Sequence, residues 1–220
     1  MKKNILVIGQ GGREHAIAWK ISKSPKVQNV FVCPGNAGTA LEKNIENIYI
    51  DISDTTSLLD FVKKNNIFMT IIGPEGPLVN GIVNKFTEQG LKIFGPTKEH
   101  AILEGSKVFS KEFMKNYDIP TSDYEMFSDK AEAKSYISTK KHPIVIKADG
   151  LAAGKGVVVS SSIEESNNAI DKLLSAAHSD FIVIEEFLSG QELSAIYVCN
   201  YKGLSLIHIS EPTRPLYISY

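Results

Sequence analysis

Ile5-Leu6-Val7-Ile8 is an unbroken aliphatic run, the pattern of a strand buried on both faces of a parallel sheet. It gives way to Gly9-Gln10-Gly11-Gly12, after which residues 13–22 carry apolar positions at helical spacing. The alternation then repeats. Residues 27–33 predict a second strand, closed by Pro34-Gly35-Asn36. Ser53 or Asp54 can cap a helix running to Asn65, and residues 68–72 predict a third strand that stops at Gly73-Pro74. A helix is expected over 78–89 and a strand over 91–94, ended by Gly95-Pro96. Strands and helices joined by short links predict the α/β class, with a doubly wound parallel sheet over residues 1–100.

Residues 98–117 have a helical pattern, and 101–120 read as a helical connector to a second unit. Over 121–190 the pattern predicts a small α+β layer. Its strands are 123–127, 144–147, 157–160 and 181–186, with helices over 129–139 and 163–175. Ser162 with Glu165 three positions on forms a capping box for the later helix. Residues 191–203 begin a further unit, opened by a strand over 193–200.

Length and composition narrow the partners. The chain has 220 residues, enough for one large or two small domains with real cores. Hydrophobic residues make up 43% and charged residues 22%, an ordinary globular balance. A net charge of −1 provides no general attraction to nucleic acid or anionic membrane, so neither is expected as a partner. Any anion must be held by local features. Cys33 and Cys199 sit in apolar runs without CxxC spacing and are expected to be buried free thiols. The first residues lack a signal-peptide core and no apolar stretch reaches membrane-spanning length, so a cytoplasmic location is expected.

Candidate chemistry gathers at loops. Gly9, Gly11 and Gly12, followed by Arg13, make a glycine turn between strand and helix. Such a turn lets backbone approach an anion at a helix N-terminus, where N–H groups are unpaired. The spacing is G-x-G-G, not G-x-G-x-x-G, and no acidic residue ends the second strand, which argues against a dinucleotide. A phosphate-ended ligand fits better, with a purely structural turn as the alternative. Gly35, Asn36 and Gly38 follow the second strand, and Gly73, Pro74, Glu75 and Gly76 follow the third. Carboxyl ends of neighbouring parallel strands share a crevice, so three such loops together predict a ligand site.

Lys147 ends a buried strand, where a charge is costly unless paired. The loop after it is Gly150, Leu151, Ala152, Ala153, Gly154, Lys155 and Gly156, small enough to fold over a polyphosphate. It lacks P-loop order, because Gly156 and Val157 follow Lys155 where Ser or Thr would bind magnesium. Lys107 stands at a helix start, unfavourable for the dipole without an anion partner. Glu185, Glu186, Phe187 and Leu188 follow a buried strand, where backbone can serve an adenine edge and Glu192 the ribose hydroxyls.

Together these residues resemble the phosphoribosylamine–glycine ligase (glycinamide ribonucleotide synthetase) family of the ATP-grasp superfamily. The resemblance runs from about Lys3 to Gly203. It is carried by GGREHA at 11–16, PGNAGTA at 34–40, GPExPLVxG at 73–81, LEGSK at 103–107 and IVIKADGLAAGKGV at 144–157. Gln10 and Gly76 are small departures. The resemblance implies ligation of glycine to 5-phosphoribosylamine with ATP, in de novo purine biosynthesis. It implies that Lys107 and Lys147 grip the ATP phosphates, that 150–156 is a lid, and that residues 185–188 hold adenine and Glu192 the ribose. The loops at 9–13, 34–38 and 73–76 would hold phosphoribosylamine. Magnesium (or manganese) is implied for the family, with its ligands, the glycine site and the rest of the second ATP-grasp lobe expected beyond Gly203. Another ATP-grasp carboxylate–amine ligase, or a nucleotide-binding module without catalysis, is the alternative.

Residues 204–220 depart from the family. Leu204-Ser205-Leu206-Ile207-His208-Ile209-Ser210 and the residues after it resemble a translated sequencing adapter and are expected to be non-native. On that expectation this chain alone is inactive. The segment 204–209 nevertheless alternates well enough to pair as a strand with 193–200, with Pro212 and Pro215 ending it.

Overall fold

A computed structural model of the chain describes residues 2–152, 155–175, 180–200 and 203–210, with backbone only for 200 and 204–210. It divides into two units, residues 1–106 and 107–220.

The first unit is built on a five-stranded parallel sheet. Its strands are β1 (Lys3–Gly9), β2 (Val27–Pro34), β3 (Ile45–Asn47), β4 (Ile67–Ile72) and β5 (Ile93–Phe94). They lie in the order β3-β2-β1-β4-β5. Alternating side chains of β1 supply both faces. Leu6 and Ile8 pack with Phe31, Cys33, Leu58, Val62, Ile82 and Phe86, while Val7 packs with Ala18, Val30 and Val32 on the other face. This two-sided burial is why β1 reads as a continuous run rather than an alternating one. Helices α1 (Gly12–Ser22) and α2 (Thr55–Lys64) follow β1 and precede β4, and Asp54 caps α2 by accepting from Ser57 N at 3.0 Å. The strand order reverses at β1, so the ends of β1, β2 and β4 lie side by side at the switch point.

Two stretches with a helical pattern are each split into two helices, the second of them at the helix start expected at Lys107. The helix predicted over 78–89 is α3 (Glu75–Val79) and α4 (Ile82–Glu88). Gly81 interrupts them with a left-handed φ of 81°, a conformation that glycine adopts without strain. The helix predicted over 98–117 is α5 (Lys98–Gly105) and α6 (Lys107–Asn116). Ser106 between them is extended, with φ −138° and ψ 121°. The connector expected over 101–120 is therefore split: α5 falls in the first unit and α6 in the second. β3 and a short 3₁₀ turn at Thr39–Leu41 were outside the sequence expectation.

The second unit carries an antiparallel sheet of β6 (Tyr124–Phe127), β7 (Ile144–Ala148), β8 (Val157–Ser160) and β9 (Ile182–Glu186), in the order β6-β9-β7-β8. Ile144, Ile146 and Ala148 of β7, with Ile182 and Ile184 of β9, face helices α7 (Lys130–Ile137) and α8 (Ile163–Ser175). The period of two then sends Lys147 and Glu185 to the opposite face. The capping box at α8 is one residue longer than expected. Ser162 Oγ accepts from Glu165 N at 3.2 Å, but Glu165 Oε2 accepts from Ser161 N at 2.7 Å.

β10 (Ser194–Asn200) and β11 (Gly203–Ser210) form a separate antiparallel pair, with Ala195 opposite Ile209 and Val198 opposite Ser205. The pairing predicted for 204–209 is found. Pro212 and Pro215 lie outside the described residues. Cys33 is buried, and burial pushes its thiol up. Cys199 is exposed, against expectation, because residues 191–199 of this ribbon are all exposed.

Candidate functional site

Three strand-end loops of the first unit are tied into one surface. Gly35 N donates to Gly9 O at 3.2 Å, and Gly73 N donates to Ile8 O at 2.9 Å. Asn36 Nδ2 donates to Gln10 O at 2.8 Å, so the Asn36 side chain bridges two of the loops. Thr39, buried, donates through Oγ1 to Asn47 Oδ1 at 2.7 Å and fixes the loop after β2 from beneath. Arg13 donates through a terminal nitrogen to Gly73 O and lies 3.5 Å from Glu75 Oε1. The side chains of Arg13 and Glu75 stay 60% and 46% exposed, open to a ligand.

The centre of this surface is Glu14, a residue absent from the sequence-derived candidates. It is buried at 5% exposure. Its Oε2 accepts from Gly11 N at 2.7 Å and its Oε1 from Arg13 Nε at 2.9 Å. A Cβ at Gly9 would stand 2.3 Å from the Glu14 side chain, and one at Gly73 would stand 2.2 Å from its carboxylate. One at Gly11 would stand 2.8 Å away. The missing Cβ atoms of these glycines thus leave room for the Glu14 side chain. Gly38 likewise faces His15, and Gly35 faces Asn47. Only at Gly12 and Gly76, among the glycines expected to bind substrate, is the space over the backbone open. The signal for Glu14 was its place three residues into a helix after Gly11, where a carboxylate satisfies an orphan N–H.

In the second unit, Asp149 caps α6. Its Oδ1 accepts from Lys107 N at 2.6 Å and from Val108 N at 3.1 Å. The dipole penalty read for Lys107 is thus offset within the protein by an aspartate the sequence reading passed over. Lys107 Nζ donates to Gly150 O at 2.8 Å, joining the helix start to the glycine-rich loop. Gly150 has φ +82°, and a Cβ at Gly156 would stand 2.5 Å from Ala152 Cβ, so both turn the loop closely. Leu151 is exposed, as is Lys155; Ala153 and Gly154 lie outside the described residues.

Lys147 and Glu185 meet through sheet register. Lys147 is opposite Val183 and Glu185 is opposite Val145, so the two are diagonal neighbours on one face. Lys147 Nζ donates to Glu185 Oε2 at 2.9 Å. Ser122 Oγ donates to the same oxygen at 2.7 Å, and Lys111 Nζ lies 3.2 Å from it. Burial by itself would raise the Glu185 carboxyl. The hydrogen bonds from Lys147 and Ser122, with the two ammonium charges, outweigh burial and hold it below the usual carboxylate range. Glu186 accepts from Asp123 N at 3.0 Å, while Phe187, Leu188 and Glu192 are exposed beyond the strand end. Among the described residues no group of three or more His, Cys, Asp or Glu could hold a metal ion, and no helix is long and apolar enough to cross a membrane.

Comparison with known proteins matches each unit to one domain. The family model "Phosphoribosylglycinamide synthetase, N domain" covers residues 3–104, and "Phosphoribosylglycinamide synthetase, ATP-grasp (A) domain" covers 105–212. The chain belongs to the phosphoribosylglycinamide synthetase family. A phosphoribosylamine–glycine ligase of Pasteurella multocida is 49% identical over 212 residues, covering 94% of this chain and 49% of its own. The Escherichia coli K12 ligase of that name is 54% identical over 196 residues, or 87% and 46% of the two chains. The chain spans about half the length of the curated relatives it matches. The solved Thermotoga maritima phosphoribosylamine–glycine ligase superposes with a TM-score of 0.73 at 34% identity, over 94% of this chain and 49% of that one. An N5-carboxyaminoimidazole synthetase from Staphylococcus aureus, solved with ADP, reaches 0.75 at 17% identity over 98% and 56%, a likeness of fold alone. The ATP-grasp architecture expected for the second unit is thereby shown.

Proposed function

We propose that this chain supplies the phosphoribosylamine-binding domain and one ATP-binding lobe of a ligase that makes glycinamide ribonucleotide. A glycine carboxylate oxygen attacks the γ-phosphorus of ATP, and ADP leaves. The amine of 5-phosphoribosylamine then attacks the carbonyl carbon of glycyl phosphate; inorganic phosphate departs, and the amine's proton is lost to solvent. No protein nucleophile is required, so orientation and charge neutralisation carry the rate. The observation that supports this most is the match of the two units, in order, to two domain models of the family, at about half identity to named ligases.

The exposed Arg13 guanidinium and the α1 N-terminus favour the ligand's phosphate. Glu75 offers a carboxylate to sugar hydroxyls. Lys147 and Lys107 would hold the nucleotide phosphates, with residues 150–156 over them, and 185–188 and Glu192 would take adenine and ribose. A divalent cation bound with ATP would supply further neutralisation of the phosphoryl charge. The test is ADP release by the full-length ligase carrying these residues, omitting glycine or phosphoribosylamine in turn. Release that requires both acceptors, with glycinamide ribonucleotide as product, supports the reading. Release needing neither refutes it.

A further inference from the structure

Lys111 is a buried charge that the proposed ligation does not use. It lies on α6, one turn beyond Lys107, and is 5% exposed. Its ammonium donates to Thr121 Oγ1 at 2.8 Å, to Ser122 Oγ at 2.7 Å and to Ser122 O at 3.3 Å, and lies 5.1 Å from the Tyr124 ring centre. It also lies 3.2 Å from Glu185 Oε2. That one oxygen therefore serves Lys111, Lys147 and the Ser122 hydroxyl together. The cluster holds two positive charges against one negative. Of the two lysines only Lys147 reaches solvent, with 28% of its side chain exposed against 6% for Lys111.

A buried carboxylate with a single cation forms a contact that an incoming anion must break, at the cost of leaving a charge unpaired in a poorly solvated place. A second, fixed cation removes that cost. We infer that Lys111 is a positioning residue: it keeps Glu185 neutralised so that Lys147 is free to turn its ammonium to a nucleotide phosphate. The inference rests on the reading of Lys147 as a phosphate-binding lysine. It gives the buried lysine a role that packing alone does not, since an apolar side chain would fill the same place without a desolvated charge. It also explains why Ser122 donates to Glu185 while accepting from Lys111: the hydroxyl carries the pairing between them.

The test is a double-mutant cycle on the full-length ligase, read by calorimetric titration with a non-hydrolysable ATP analogue and magnesium. Lys111→Met should weaken binding about tenfold, the size of one charge-assisted hydrogen bond lost to Glu185. In the Glu185→Gln background no carboxylate remains to capture Lys147, so adding Lys111→Met should then change affinity by less than about twofold. Should Lys111→Met alone fail to fold, that second comparison still decides. A tenfold loss in the Glu185→Gln background, or wild-type affinity in folded Lys111→Met, overturns the inference. Lys147→Ala separates the two levels. If it binds like wild type, the phosphate-lysine reading falls and this inference with it. If Lys147→Ala is weak and Lys111→Met is not, only the role of Lys111 is lost.

Discussion

Glu14 and Glu185 are buried carboxylates, one in each unit, at 5% and 7% exposure. The surroundings differ in kind. Glu14 is held by a backbone N–H and by Arg13, and three glycines around it owe their missing Cβ atoms to its side chain. Glu185 sits on a sheet face among Ser122, Lys111 and Lys147, with its charge overcompensated. The first unit shapes its loops by subtraction of side chains. The second prepares its site by surplus of charge. Substitutions that add volume should therefore damage the first, and substitutions that remove charge the second.

The largest expected effect is steric. Gly9→Ala meets the Glu14 side chain and must also keep φ near 137°, so it should destabilise the first unit by roughly 3 kcal/mol. Gly73→Ala meets the carboxylate without the backbone penalty and should lose about 2 kcal/mol. Gly12→Ala and Gly76→Ala face open space and should stay within about 0.5 kcal/mol of wild type. Denaturant melts of the four variants give the order, and equal losses at Gly9 and Gly12 would break the comparison. Gly12→Val then becomes the clean probe of ligand approach. It should abolish binding of a stable phosphoribosyl analogue, which Gly11→Val cannot establish because its side chain strikes Glu14 first.

The charge effect comes next. Lys147→Ala should weaken binding of the ATP analogue by about ten- to a hundredfold, whereas Lys155→Ala, on the exposed loop, should matter less. If Lys155 proved the stronger of the two, the phosphate grip would belong to the loop rather than the sheet.

The smallest effect is on acid stability. Glu185's carboxyl is held below its unfolded value, so its contribution is complete above the ordinary carboxylate range and is lost as pH falls through the depressed folded value. Glu185→Gln should flatten that part of the acid limb of a stability profile. An unchanged slope would mean that the cluster contributes nothing through ionisation.

How much of this the sequence carried depends on the range of each contact. β1 and β9 were legible because burial on both faces leaves a run that no other element explains. β3, three residues long, has no pattern to read. The break at Gly81 was visible as a glycine but not as a left-handed one, whereas Gly105-Ser106 is a local breaker pair consistent with the helix start read at Lys107. Lys147 stood out because it ends an aliphatic run. Lys111 did not: on a helix written Lys107–Asn116 it reads as one more solvent-facing lysine, and the partners that bury it, Thr121, Ser122, Tyr124 and Glu185, lie 10 or more positions along the chain. Asp149 was hidden similarly, since its partner Lys107 lies 42 positions away; Glu14 had a local signal after Gly11, but not its close approach to Gly73.

The proposed ligation passes through glycyl phosphate, and following one oxygen atom tests it. Glycine labelled with heavy oxygen in its carboxylate is turned over by the full-length ligase with ATP and phosphoribosylamine, and the released phosphate is examined by mass spectrometry. If the carboxylate oxygen attacks the γ-phosphorus, each inorganic phosphate carries one labelled oxygen and the amide product keeps the other. Unlabelled phosphate alongside glycinamide ribonucleotide would contradict the claim.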